Sequence, residues 1–295
     1  DKDVVFMTAD ADAFGLRKFK KDFPRQFINV GVAEQNMITV ATGLALSGKK
    51  VFIYAIIPFI TMRCYEHLKV NICSMNLPVT IIGAGAGLSF GYDGPTHNAV
   101  QDIAVMRILP EITILNLSDP EMAITAARIA YESKSPLYIR LDKGAIPQIY
   151  KKDSDFFDGL ALLKSGKDLC IISTGIIVHR AMEVAELLSK HNISAGVIDL
   201  YRLKPVNETL LLKMLSGFKQ VVTLEENSIV GGLGTILSEV VIDNRKPVSL
   251  KRIAIKDEQS FHYGTRDWLH QYYNLDVNGI TKTILGEFKN AKSDN

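Results

Sequence analysis

Glu34 lies in the segment VGVAEQNMITVATGLALSG, where Met37, Val40, Ala41 and Leu44 recur at helical spacing and place the carboxylate in the first turn of a helix. The helix dipole favours a negative charge there, so a solvated first-turn Glu is one complete account of it. A second segment, GAGAGLSFGYDGPTHNAVQDIAVMR, runs from a strand into a glycine-rich loop that carries Asp93 and His97. Glycine allows close backbone approach and unusual dihedrals, so this loop can hold Asp93 and His97 rigidly at a cleft. A loop histidine can equally be a solvated side chain. The glycines do not form G-x-G-x-x-G, because Leu88 or Phe90 falls where the last glycine would stand. Arg140 ends the run LYIR, where it suits either an oxyanion or an ordinary salt bridge. Phe59, in PFITMRCYEHL, suits either ring stacking or core packing.

The elements able to position these residues are legible as apolar runs. Val4 to Met7, Val51 to Tyr54, Val79 to Ile82, Thr113 to Leu117 and Leu137 to Arg140 alternate with alanine-rich helical stretches. This predicts βαβ units around a parallel sheet covered on both faces. A second series, Leu169 to Ser173, Ala195 to Asp199, Gln220 to Leu224 and Leu250 to Ile255, follows the polar segment YKKDSD. The fold class is therefore α/β, with two consecutive domains, each a mostly parallel sheet flanked by helices, divided as residues 1–150 and 151–295. Asp119-Pro120-Glu121 marks a helix start: Asp caps, Pro takes the first turn and Glu complements the dipole.

Composition bounds the function. The chain has 295 residues, enough for two cores, and 47% hydrophobic with 22% charged residues is ordinary for a globular protein. A formal charge of +2, with Lys and Arg scattered through both halves, lacks the basic stripe of a nucleic-acid binder. Apolar runs such as VFIYAIIPFI fall short of the ~20 residues that cross a bilayer, so no membrane partner is expected. Three cysteines with no CxxC pair and no Cys/His cluster argue against a disulfide framework or a zinc site and fit a cytoplasmic setting. No protein metal site is predicted.

Taken in order, GVAEQNM, PFITMRCYEHL, YDGPTHNAVQDIAVMR and PLYIRLDKG resemble the transketolases and 1-deoxyxylulose-5-phosphate synthases. DLYRLKPVNETLL, VVTLEENSIVGGLGT and LDVNGI resemble the C-terminal domain of the same superfamily, so the resemblance covers nearly the whole chain. It implies that residues 1–150 form the pyrimidine-binding domain of a thiamine-diphosphate enzyme and residues 151–295 a transketolase C-terminal-like domain. By the resemblance, Glu34 is the acid that hydrogen-bonds the cofactor's aminopyrimidine and so helps to generate its nucleophile. For that role, desolvation of Glu34 is expected to outweigh the pull of the helix dipole.

The resemblance further implies that Phe59 stacks on the pyrimidine, with Ile56 and Met62 beside it in place of the aromatic residues that transketolases carry there. His97 and Asp93 are implied to meet hydroxyls or the carbonyl of a sugar, and Arg140 its phosphate or other far-end anion. Where transketolases have a His and the synthases an Arg, this chain has Gly85 or Ala86, which leaves the phosphate site without its usual cation. No GDG segment, by which the superfamily holds Mg²⁺ and the cofactor's diphosphate, occurs in the sequence. A split enzyme is therefore implied: an N-terminal diphosphate-binding transketolase subunit as partner, holding Mg²⁺, in an α₂β₂ heterotetramer acting on sugars or sugar phosphates. The expected activity is transfer of a two-carbon ketol unit from a ketose to an aldose. Its alternatives are a synthase-like decarboxylative condensation of pyruvate and, from a different class, a non-catalytic stabilising or regulatory partner subunit.

Overall fold

The computed structural model describes residues 1–11 and 13–293, with side chains as far as Glu287. In the first half the order is β1 (Val4–Thr8), α1 (Phe14–Asp22), β2 (Phe27–Asn29), α2 (Glu34–Leu46), β3 (Lys50–Ile56), α3 (Ile57–Ile60), α4 (Tyr65–His67), β4 (Val79–Ala84), α5 (Asp102–Arg107), β5 (Thr113–Asn116), α6 (Pro120–Glu132) and β6 (Leu137–Leu141). In the second half it is β7 (Ala161–Lys164), β8 (Leu169–Ser173), α7 (Val178–Ser189), β9 (Ala195–Asp199), β10 (Arg202–Lys204), α8 (Glu208–Met214), β11 (Gln220–Ser228), α9 (Leu233–Asp243), β12 (Ser249–Ile255), α10 (Arg266–Tyr272) and α11 (Val277–Ser293).

A seven-stranded sheet has the order β10-β5-β6-β4-β3-β1-β2, and a five-stranded sheet the order β12-β11-β8-β9-β7. All pairs are parallel except β10 with β5 and β7 with β9, which lie at sheet edges. The apolar runs explain this: β8 and β9 are buried at every position, as strands covered on both faces must be. Each apolar run read as a strand is one. The runs that sequence missed, β2, β7 and β10, are edge strands of three or four residues.

β10 comes from beyond residue 150 yet extends the first sheet, with Arg202 opposite Leu115 and Lys204 opposite Ile114. Apolar side chains of both halves accordingly share one core, in which Ile114, Tyr138 and Met106 belong to the same cluster as Leu203, Leu211 and Ile236. Burying each such Leu or Ile contributes on the order of 1.5–3 kcal/mol, so this shared core holds the two halves together. The Asp119 cap forms as the sequence predicts, its side chain accepting from the Glu121 backbone N–H at 2.7 Å with Pro120 next to it.

Candidate active site

The carboxyl ends of parallel strands are where open α/β sheets bind ligands, and the predicted residues gather there. β2 ends in a turn through Gly31 (φ +75°), and α2 begins at Glu34. β3 runs into α3, which carries Phe59, and β4 runs into the glycine loop that carries Asp93 and His97.

Glu34 is buried, 4% exposed, at the head of α2. Its partner was not foreseen: Arg63 Nη1 donates to Glu34 Oε2 at 3.0 Å. The same guanidinium lies over the Phe59 ring, Cζ 4.1 Å from the centroid. Phe59 meets His97 edge to face, with centroids 5.0 Å apart and planes at 72°. On its other side His97 approaches Phe90 at 5.8 Å, and Nδ1 is 2.9 Å from the Thr96 hydroxyl, a contact that fixes the ring's orientation. Lys143 Nζ sits over Phe90, 4.0 Å from its centroid. Glu34, Arg63, Phe59, His97, Phe90 and Lys143 thus form one continuous string of contacts.

The absence of a cation at Gly85 has a steric cause. Gly85 has φ +88°, and a Cβ there would lie 2.0 Å from the Phe90 ring. The ring that excludes a side chain from Gly85 carries Lys143 on its face instead. Sequence reasoning overlooked Lys143; its signal is its position two residues past the carboxyl end of β6, where the chain leaves the sheet. Asp93 is exposed in the turn beside His97, and Ile56 is half-buried at the end of β3. Met62, in the turn that also carries Arg63, is 37% exposed.

Arg140 does not open toward this group. It is 3% exposed, and its guanidinium donates to Asp102 (Nε–Oδ2 2.7 Å, Nη2–Oδ1 3.1 Å), Asn116 Oδ1 (3.2 Å), the Ala99 carbonyl (2.6 Å) and Asn227 Oδ1 (2.7 Å). Those partners come from both halves of the chain and leave little donor capacity for a sugar anion. The expectation of a substrate-facing Arg140 is therefore corrected: its residue type suited an oxyanion, and a protein carboxylate meets that need.

The LEEN segment places two carboxylates at the same junction. Glu226 accepts from the Leu88 backbone N–H (3.2 Å), Arg266 Nε (2.8 Å) and His270 Nε2 (2.7 Å), while Arg266 Nη1 reaches Asp142 at 2.8 Å. Burial alone would raise its pKa, but Arg266 and His270 hold Glu226 well below the usual carboxylate range. The cluster ties the loop at Leu88 and the end of β6 to the second sheet. Glu225 caps α9, accepting from Leu233 N (2.7 Å) and Gly234 N (2.8 Å), so the glycine-rich turn is filled by the chain's own carboxylate rather than open to an anion. Burial pushes Glu225 up to about 7 despite those two donors. Among the described residues, no group of three or more His, Cys, Asp or Glu is arranged to hold a metal ion. No helix among them is long and apolar enough to cross a membrane.

Residues 1–148 match the family model of the transketolase pyrimidine-binding domain, and residues 159–280 that of the transketolase C-terminal domain. One subunit of an apulose-4-phosphate transketolase from Phocaeicola vulgatus is 35% identical, over 97% of this chain and 91% of that protein. A 1-deoxy-D-xylulose-5-phosphate synthase from Halothermothrix orenii is 34% identical over 97% of this chain, which spans only 45% of the synthase. A solved structure described as a split-gene transketolase, an inactive β₄ tetramer, is 31% identical and superimposes with a TM-score of 0.86 over 97% of this chain and 92% of that one. With both domain models matched in order and a split-gene relative covered almost end to end, the chain belongs to the transketolase family, as its pyrimidine-binding and C-terminal domains on one polypeptide.

Proposed function

We propose that this chain is the C-terminal subunit of a split, thiamine-diphosphate-dependent transketolase, divided as residues 1–150 and 151–295 and working in the cytoplasm. A separate diphosphate-binding subunit holds Mg²⁺ and the cofactor's diphosphate in an α₂β₂ heterotetramer. One observation carries the reading. A desolvated carboxylate, Glu34, and an aromatic face, Phe59, are bridged by a planar delocalised cation, Arg63, with His97 edge-on to the ring. A carboxylate and a ring face that together accept a flat guanidinium, by one hydrogen bond and one stacking contact, have the chemistry to accept an aminopyrimidine in the same way.

When bound, the cofactor supplies a nucleophilic carbon able to carry a two-carbon unit. Glu34 holds a proton at the pyrimidine ring nitrogen, and burial at the head of α2 keeps water from competing for it. Phe59 orients the ring by its face, with Ile56 and Met62 as the apolar walls beside it. His97 stands where it can give or take a proton at the substrate's hydroxyl or carbonyl oxygen, and exposed Asp93 accepts hydrogen bonds from sugar hydroxyls. Exposed Lys143 supplies the cation for a phosphate at the sugar's far end, the place that the resemblance gave to Arg140.

The test is Glu34→Ala in the reconstituted two-chain enzyme, assayed for ketol transfer from a ketose to an aldose. Loss of turnover by two or more orders of magnitude is expected, because a positioned acid–base group contributes about 10²–10⁴-fold. Near-wild-type turnover would sink the assignment. Carbon dioxide release from pyruvate, without ketol transfer, would select the decarboxylative alternative.

A further inference from the structure

We propose that Arg63 is a built-in stand-in for the aminopyrimidine, exchanged for the cofactor when it docks. The proposal rests on the reading above and deepens it. The site that a flat nitrogen heterocycle would take has two recognition elements, the buried Glu34 carboxylate and the Phe59 ring, and Arg63 satisfies both: Nη1 donates to Glu34 Oε2 at 3.0 Å, and Cζ lies 4.1 Å from the ring centroid. A guanidinium shares with a protonated aminopyrimidine its planarity, its delocalised charge and its in-plane N–H donors. The two cannot occupy the same carboxylate and the same ring face at once.

The geometry also shows how the exchange proceeds. Arg63 follows α3 in a turn, and its side chain is 45% exposed whereas Glu34's is 5%. Gln35, one residue after Glu34, donates from Nε2 to the Arg63 backbone carbonyl at 3.1 Å. This anchors the main chain of the turn to the head of α2 while leaving the side chain able to swing into water. The movement therefore requires side-chain torsions only.

The stand-in has a physical purpose. A buried carboxylate without a partner is costly, and Glu34 is already buried by this chain alone. Arg63 neutralises Glu34 in that state. The pair is weak enough to yield, because one member is nearly half exposed and screened by water. The pocket thus stays charge-balanced before docking and is released by the ligand that replaces the cation.

The experiment measures thiamine diphosphate affinity by titration calorimetry in the complete two-chain complex. R63A should bind the cofactor roughly threefold to fivefold more tightly than wild type, since docking no longer displaces an ion pair of ordinary half-exposed strength. In an E34Q background the same R63A change should give a clearly smaller gain, under about twofold, because the carboxylate contact is gone and only the weaker competition for the Phe59 ring remains. R63Q, which keeps a donor but lacks the charge and the planar fork, should fall between, and it gives the answer where R63A fails to assemble. Unchanged or weaker binding by the Arg63 variants that assemble, or an equal gain with and without Glu34, overturns the stand-in. If the wild-type complex binds no thiamine diphosphate at all, the proposed function fails instead, a result distinct from either.

Discussion

The Arg140 guanidinium grips both carboxylate oxygens of Asp102, Nε–Oδ2 at 2.7 Å and Nη2–Oδ1 at 3.1 Å, with the two side chains 4% and 0% exposed. Tyr138 adds its hydroxyl to Asp102 Oδ2 at 2.7 Å, and Asn227 brings the second domain's β11 onto the same guanidinium. A pair this buried resists loss of one member far more than its net contribution suggests, because the survivor is left as an uncompensated charge. Arg140→Ala should therefore lower unfolding stability by about 3–5 kcal/mol, read as a fall in the urea midpoint. Unchanged stability with a raised KM for an anionic sugar would return Arg140 to the substrate.

Asp199, at the end of β9, makes a second contact between the halves, accepting from Ser118 Oγ (2.5 Å) and the Tyr150 hydroxyl (2.9 Å). Burial pushes its pKa up from 3.8 to about 7, against the pull of those two donors. A carboxyl with a raised folded pKa binds its proton more tightly when folded, so its stabilising contribution is full below about pH 4 and is lost as pH rises to about 7. Glu225 titrates with the same sign up to about 7. Asp199→Asn keeps an acceptor for Ser118 and Tyr150 without the charge. It should match wild type near pH 4 and exceed it above pH 7 by at most about 4 kcal/mol, while retaining the share of the slope that Glu225 contributes. Parallel stability–pH curves for the two proteins would refute this account.

The inner strands were legible because burial on one or both faces calls for a largely apolar run, and each of the nine predicted runs is a strand. β10 was not, since Arg-Leu-Lys carries no apolar excess and gains its place by tertiary pairing with β5. At the candidate site, the resemblance singled out Glu34, Phe59 and His97, and the structure brings them together. Arg140 misled because one sequence position reports residue type and strand end but not which face the side chain takes; in β6 it points into the junction, against Asp102. Arg63 escaped notice because its role depends on two other residues, Glu34 and Phe59, that only the fold brings onto one guanidinium.

Lys143 is where the substrate's anion should register. It is exposed, lies over the Phe90 ring at 4.0 Å, and is joined through Phe90 to His97. The ring carries the ammonium on its face, whereas Asp142, beside it in sequence, is taken up by Arg266 at 2.8 Å. No protein carboxylate among the described residues pairs with the Lys143 ammonium, so its charge is available to a phosphate. Lys143→Ala should raise KM for a phosphorylated sugar about tenfold, the effect of one charge-assisted contact, and leave kcat nearly unchanged. Salt should weaken wild-type binding of that sugar and have less effect on the variant, because the lost contact is the screened one. Sugars without a phosphate should bind both proteins alike. An equal rise in KM for phosphorylated and unphosphorylated sugars would mean that Lys143 shapes the Phe90 loop rather than meeting an anion.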